Sequence, residues 1–459
     1  MSLSLETDER DIVGALYSYI AEATSREIPA DVAAKAKHHI LDSIASMVSG
    51  AHLEPGRMAI NYARSLGGTA EALVMGTGVE TTAINAALAN GMCAHADETD
   101  DSHLEARCHL GCSVVPAALA MAEREQSGGS AFLRAVVLGY DVGARFNLAL
   151  NLGPIPTYTL CTHSHGPSFG AAAAAAALAR LDAAQVRHVL AYAVQQASGL
   201  KTYMRDLEHI EKAFIFGGMP ARNGVTAATM VATGFSGIAD DITGRDGYMD
   251  AFSDDPRPDR LTEELGERFE VSRTSIKKWS VGSPIQAALD SLEVLMGDHG
   301  LKPGDVASIT VRLPDDRAYI VDDREMPDIC LQHLMAVTLI DGGLSFKACH
   351  DEARMADPEV LGLRSKVTLV PEAFLTEARP ERQAVVEATL GDGRELSHRT
   401  VSVRGTPENP METAEVEEKA RGLMAPVLGP DRTQALIAAI ADIESLANAR
   451  DLRPLLICA

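Results

Sequence analysis

Apolar residues recur every three or four positions through most of the first 270 residues, the period of helices with one buried face. From Val32 the stripe runs Val32, Ala36, Ile40, Ile44, Met47 and Val48, with Pro29 before it and Gly50 after it as natural stops. The same spacing predicts helices over residues 83–94, 114–124, 131–148, 170–181 and 184–197. Residues 171–177 are all alanine, and so little side chain permits very close helix packing, which places this helix at the centre. Near residue 270 the pattern changes. The stretch 306–313 (VASITVRL) alternates loosely and 366–370 is β-branched, while 385–390 and 400–403 flank Gly391-Asp392-Gly393, a hairpin signal. Helical spacing appears between them at 329–341 and 359–364, and it returns after Gly405 over 413–424 and 431–447. The pattern predicts a mainly α fold: a large all-helical domain formed by both chain ends, 1–270 and 405–459, with an inserted smaller α+β domain at 271–404.

Composition narrows the class. With 46% hydrophobic and 23% charged residues the chain has ample material for packed cores. Lys and Arg number 41 against 64 Asp and Glu, a net charge of −23, which excludes wrapping nucleic acid or docking on an anionic membrane. The opening MSLSLETDERDI is acidic and has no basic start followed by an apolar stretch, so no signal peptide is expected. The purest apolar run, 169–178, is shorter than the roughly 20 residues a membrane span needs. Seven scattered cysteines fit a reducing compartment, and a soluble cytoplasmic protein is expected.

Five segments carry chemistry. The densest is HADETDDSHLEARCHLGC, residues 95–112, a loop between two helical stretches holding His95, Asp97, Glu98, Asp100, Asp101, His103, Glu105, Arg107, Cys108, His109 and Cys112. Its alternatives are a solvated acidic turn or a metal site. Cys108, His109 and Cys112 are soft ligands, yet no second Cys/His pair lies at zinc spacing and no iron–sulfur cysteine triplet occurs. Thr162-His163-Ser164-His165-Gly166-Pro167 reads as a turn presenting two histidines before the alanine helix. Residues 205–224 carry Arg205, Lys212 and Arg222 around an apolar FIFGGM strip. Residues 275–282 place Lys277 and Lys278 beside Trp279, and Arg317–Tyr319 offers a phenol as proton donor. No G-x-G-x-x-G, P-loop or G-x-S-x-G motif is present. His, Lys, Arg, Tyr and carboxylate groups without an obvious nucleophile suit acid–base chemistry on a small carboxylate-bearing molecule.

The order His95…Asp100-Asp101…His109, VVPAALAMAE, the alanine helix with LDAAQVRHVLAYAVQQASGL, GGMPARNGVTAA and IKKWSVGSPIQAALD resembles the MmgE/PrpD family, whose members include 2-methylcitrate dehydratase, cis-aconitate decarboxylase and iminodisuccinate epimerase. The similarity continues through LMAVTLIDGG to the final helices. It implies a helical domain from both chain ends, a smaller α+β lid domain, a homodimer, no cofactor and no metal, and an active site between the domains. The family's acidic-loop residues fall on Glu98, Ser102 and His109, and its second histidine on either His163 or His165. Its lysines fall on Lys212 and on Lys277 or Lys278, and its lid tyrosine on Tyr319. This chain departs from the family in Glu98 for an aspartate, in Lys277–Gly282 for a K-x-Y-P-x-C segment, and in Phe216–Pro220 for a histidine-containing one.

The expected activity is that of a cofactor-independent lyase of the dehydratase type on a di- or tricarboxylic acid, by α-proton abstraction and β-elimination. Lys212, Lys277 and Arg205 would hold carboxylates, with Ser102 and Asp101 in the binding set. His109 or His163 would act as base, and Tyr319 or the other histidine would protonate the leaving group. Decarboxylation and epimerisation are the alternatives within this class. An inactive helical scaffold and a metal-dependent hydrolase are the alternatives outside it. Because the substrate is anionic, a local positive cleft is expected, built from Arg107, Arg205, Lys212, Lys277 and Lys278.

Overall fold

The computed structural model describes residues 12–457, so the acidic opening segment and Cys458 lie outside the described residues. The fold is mainly α. Helices Ala30–Gly50, Ala83–Ala94, Gly111–Arg124, Gly129–Leu150, Thr162–Leu178 and Met219–Ala232 pack into one core, with Thr162–Leu178 among them. That central helix is buried along nearly its whole length. Its small residues let it nearly touch Gly129–Leu150. A methyl group on Gly166 would sit 2.2 Å from the Gly143 carbonyl oxygen, and one on Gly170 2.3 Å from that of Gly139. Phe146 and Phe169 stack beside this contact with centroids 3.7 Å apart.

The helix begins eight residues earlier than the apolar spacing predicts, so His163, His165, Gly166 and Pro167 belong to its first turns rather than to a loop. Gly166 serves the helix contact. Pro167 stands inside the helix and leaves the His163 carbonyl without its i+4 N–H partner.

Two apolar cores are present. The first takes in residues 16–276 and 411–456, and the second residues 279–403. In the second, helices Gln286–His299 and Leu331–Asp341 cover a four-stranded sheet ordered Val367–Glu372, Val306–Pro314, Ala384–Leu390, Glu395–Thr400. The first pair is parallel and the other two are antiparallel, with Ile309 opposite Val367 and Val386 opposite His398. The last strand replaces the one predicted at 400–403. The hairpin reverses within Gly391–Gly393, and the returning edge strand is mostly polar and exposed, so it lacks an apolar alternation.

The chain then returns to the first core, where Thr413–Leu428 packs on Ala30–Gly50. There Lys419 Nζ sits 2.6 Å from Asp42 Oδ1 and donates to the Thr99 carbonyl at 3.0 Å, tying the C-terminal helix to the acidic loop. The six described cysteines are free and buried, and no described helix is long and apolar enough to cross a membrane.

Candidate functional site

The acidic loop is buried, not a solvated turn, because its polar groups satisfy one another and the helices around them. Asp101 accepts from Tyr140 Oη at 2.5 Å and the Gly111 amide at 2.9 Å, and lies 2.6 Å from His39 Nδ1. Asp97 accepts from the Thr99 amide and hydroxyl at 2.9 and 2.7 Å. Ser102–His103 pairs antiparallel with Thr274–Ser275, and His103 Nε2 meets Glu270 at 3.0 Å. This short pairing brings the segment that joins the two cores against the loop.

Two charged constellations result. Glu98 ion-pairs with Lys212, while Lys277 Nζ donates to the Glu98 carbonyl at 2.7 Å and lies 3.4 Å from its carboxylate. Burial alone pushes the Glu98 carboxyl up, but the ammonium groups of Lys212 and Lys277 outweigh it and hold the group well below the ordinary range. Asp100 Oδ1 accepts from the Nδ1–H of both His95, at 2.9 Å, and His109, at 3.1 Å. Burial disfavours this carboxylate too, yet the two imidazoles hold it well below the usual value. With Nδ1–H engaged, the lone pair of His109 is on Nε2, the arrangement of an oriented base. Burial lowers the pKa of His109 against the opposing pull of Asp100, which favours the neutral ring.

A π-helical turn, Phe214–Gly218, completes the floor. It fits because Gly217 meets Gly91: a methyl on Gly217 would lie 1.9 Å from the Gly91 carbonyl oxygen. The turn inserts the Phe216 ring between two imidazoles, stacked on His163 at 3.9 Å and on His95 at 4.3 Å. Burial, with His109 and His95 nearby, keeps His163 well below its ordinary pKa.

Above this floor lies a cavity of about 180 Å³. Glu98, Ser102, His109, His163, Tyr203, His209, Lys212 and Phe216 line it from the first core, and Arg317, Tyr319, Arg324 and Arg382 from the second. Its lining holds six Lys or Arg residues, Arg107, Lys201, Lys212, Arg317, Arg324 and Arg382, against two acids, Glu98 and Asp206. A chain of net charge −23 thus presents a positive cavity.

Three donors come within 4.8 Å of one another in the groups His95, Asp100, His109 and His95, Glu98, His209. A divalent cation does not fit the second group, where two ammonium groups occupy Glu98 and would repel the ion. In the first, Asp100 Oδ1 already accepts two N–H bonds, while Asp100 Oδ2 and His95 Nε2 have no hydrogen-bond partner among the described residues.

The MmgE/PrpD N-terminal domain matches residues 14–261, and the MmgE/PrpD C-terminal domain matches residues 279–445. The chain belongs to the MmgE/PrpD family. It is 25% identical to a cis-aconitate decarboxylase-like protein of Aspergillus oryzae, over 99% of each chain. It is 23% identical to cis-aconitate decarboxylase of Aspergillus terreus, over 97% of this chain and 96% of the relative.

Within this MmgE/PrpD chain, Glu98, Ser102, His109, His163, Lys212 and Tyr319 meet at one cavity, with Lys277 buried behind Glu98. Four residues named from the sequence lie elsewhere. His165 faces the core, 3.2 Å from Tyr248 Oη and edge-on to Phe252, because residues two apart on a helix do not share a face. Lys278 pairs with Glu293 and covers the Trp279 ring, on the bend that follows Lys277. Arg205 is exposed on the turn Lys201–Arg205 and does not line the cavity. Asp101 is spent on His39, Tyr140 and Gly111, where it anchors the loop. The expected cluster of cations therefore loses Arg205 and Lys278 from the lining, keeps Lys277 only behind Glu98, and gains Lys201, Arg317, Arg324 and Arg382. Sequence reasoning also passed over the stacking role of Phe216, and Arg382 stands in no motif that marks it.

Proposed function

We propose that this chain is a lyase acting on a di- or tricarboxylic acid by proton transfer at a carbon next to a carboxylate. The observation that carries the reading is the meeting of an Asp100-oriented His109, a buried His163, Glu98 and Lys212 in one positive cavity, with Lys277 paired to Glu98 from behind. In the dehydratase form, His109 Nε2 takes the α-proton and the C–H electrons move into an enediolate. Lys212 and Lys277 stabilise that charge. The β C–O bond then breaks, and Tyr319, or the imidazolium that His109 has become, supplies the proton with which the hydroxyl leaves as water. Glu98, held ionised by two lysines, positions them and does not itself exchange the proton.

Decarboxylation is the second reading, favoured by the names of the relatives that span nearly the whole chain. There the C–C bond to a carboxylate breaks, CO2 departs, and the carbon left with the electron pair takes a proton from an imidazolium. Self-association as a homodimer accompanies the proposal and is read by light scattering.

The test incubates the protein in D2O with cis-aconitate and with citrate-, malate- and aspartate-like acids, followed by proton NMR. Water loss, CO2 loss or deuterium entry on one of these acids supports the reading and separates its forms. No exchange or turnover across the panel overturns it. Activity abolished by chelator and restored by a divalent metal would support the hydrolase alternative instead.

A further inference from the structure

The cavity has a second positive pole, far in sequence from the first. Arg382 lines it from the segment just before strand Ala384–Leu390 and adopts a left-handed backbone conformation, φ +64°. The segment is pinned from both sides. Gln383 donates to the Pro380 carbonyl at 2.9 Å and accepts from Arg399 at 2.7 and 3.0 Å. The guanidinium itself has no hydrogen bond or ion pair to a described residue, and its Nε is buried without a partner. Its neighbour Arg317 differs: it pairs with Glu381 at 3.3 Å and lies 3.7 Å from Asp316. Burial and the like charge of Arg317 outweigh the carboxylates of Glu381, Asp316 and Glu98 and push Arg382 down to about 9. Arg382 is half-buried, with Nε inaccessible and the rest of its fork toward the cavity unpaired, and a planar guanidinium fork matches a carboxylate.

We propose that Arg382 is the specificity-determining residue that receives a second carboxylate of the substrate, distinct from the one met by Lys212 across the same cavity. This rests on the polycarboxylate reading above and adds to it a requirement for two separated carboxylates. Arg317, already paired, supports the pole by charge, and an acid with one carboxylate leaves Arg382 unmet.

The test is calorimetric titration of the full chain with propane-1,2,3-tricarboxylate, which has no hydroxyl to lose, with butyrate, and with inorganic phosphate. Arg382→Gln is expected to weaken the tricarboxylate about ten- to a hundredfold, the range of one charge-assisted hydrogen bond. Butyrate affinity is expected to change less than about twofold, which also reports an intact floor, while Arg382→Lys retains part of the tricarboxylate preference. Equal weakening of both acids, or none, overturns the assignment, as does a phosphate affinity exceeding that of the tricarboxylate and equally dependent on Arg382. Tricarboxylate binding that depends on Arg382 without turnover on the acid panel would sink the lyase reading and leave this one standing. If the unsubstituted chain binds no acid, both fall.

Discussion

His350, from the second core, and Asp97, from the loop of the first, form a buried ion pair at 2.9 Å, one residue from Glu98. Burial disfavours the imidazolium, but Asp97 and Asp328 outweigh this and push its pKa from 6.5 up to about 9. The matching depression of Asp97 describes the same ion pair and is counted once. A folded-state pKa above the unfolded value means stability fully present below pH 6.5 and lost as pH rises through 9. A rise of about 2.5 units corresponds to about 3.4 kcal/mol at low pH, about 2.5 kcal/mol at pH 7 and under about 0.1 kcal/mol at pH 10. The low-pH figure reaches the roughly 3–5 kcal/mol typical of removing one partner from a buried pair, and at the half-buried His350 the value at pH 7 falls below it. His350→Gln should therefore destabilise the protein by about 2–3 kcal/mol at pH 7 and by almost nothing at pH 10. Urea denaturation of both proteins at pH 6, 7, 8, 9 and 10 measures the difference, in which titrations common to both cancel. A gap that stays constant across this range would refute the argument, since the ion pair would then not be its source.

Asp100→Asn turns two charge-assisted bonds into neutral ones, about 1 kcal/mol each, so kcat/KM on the acid that turns over should fall about 30-fold or more. Because Asp100 opposes the burial that lowers His109, its loss should move the acidic limb of the pH profile downward; an upward or absent shift contradicts the base assignment. Lys277→Met should abolish turnover and Lys278→Ala change it less than about threefold, and steady-state kinetics showing the reverse order would overturn the placement of the two lysines. Gly166→Ala should destabilise the protein by about 1–3 kcal/mol or more, read as a lower urea midpoint, as its methyl meets backbone. Gly297→Ala, in the helix Gln286–His299 with open space around it, should raise stability by up to about 1 kcal/mol, and equal effects at both sites would contradict the close-packing account.

Which parts of this molecule were legible in the sequence follows from how far each signal reaches. The helix Ala83–Ala94 and the hairpin at Gly391–Gly393 depend on neighbours a few residues away, and local periodicity and turn chemistry suffice to mark them. The start of the central helix was misplaced because Gly166 and Pro167 resemble a turn until Gly143 is brought against them. The site divides in the same way. Glu98, His109 and Lys212 stand in dense polar segments and are visible as chemistry, whereas Arg382 is one arginine among many until the cavity surrounds it.

By itself, then, the sequence determined a mainly α chain, its family and a short set of titratable side chains able to handle a carboxylate. Tertiary structure places His163 rather than His165 against the cavity, and Lys277 rather than Lys278 against the acidic loop. Each placement is one of direction, set by the packing partner, Phe216 at His163 and Glu98 at Lys277. The net charge of −23 belongs to the whole chain, while the positive cavity arises because the two cores bring together cations up to 275 residues apart, from Arg107 to Arg382.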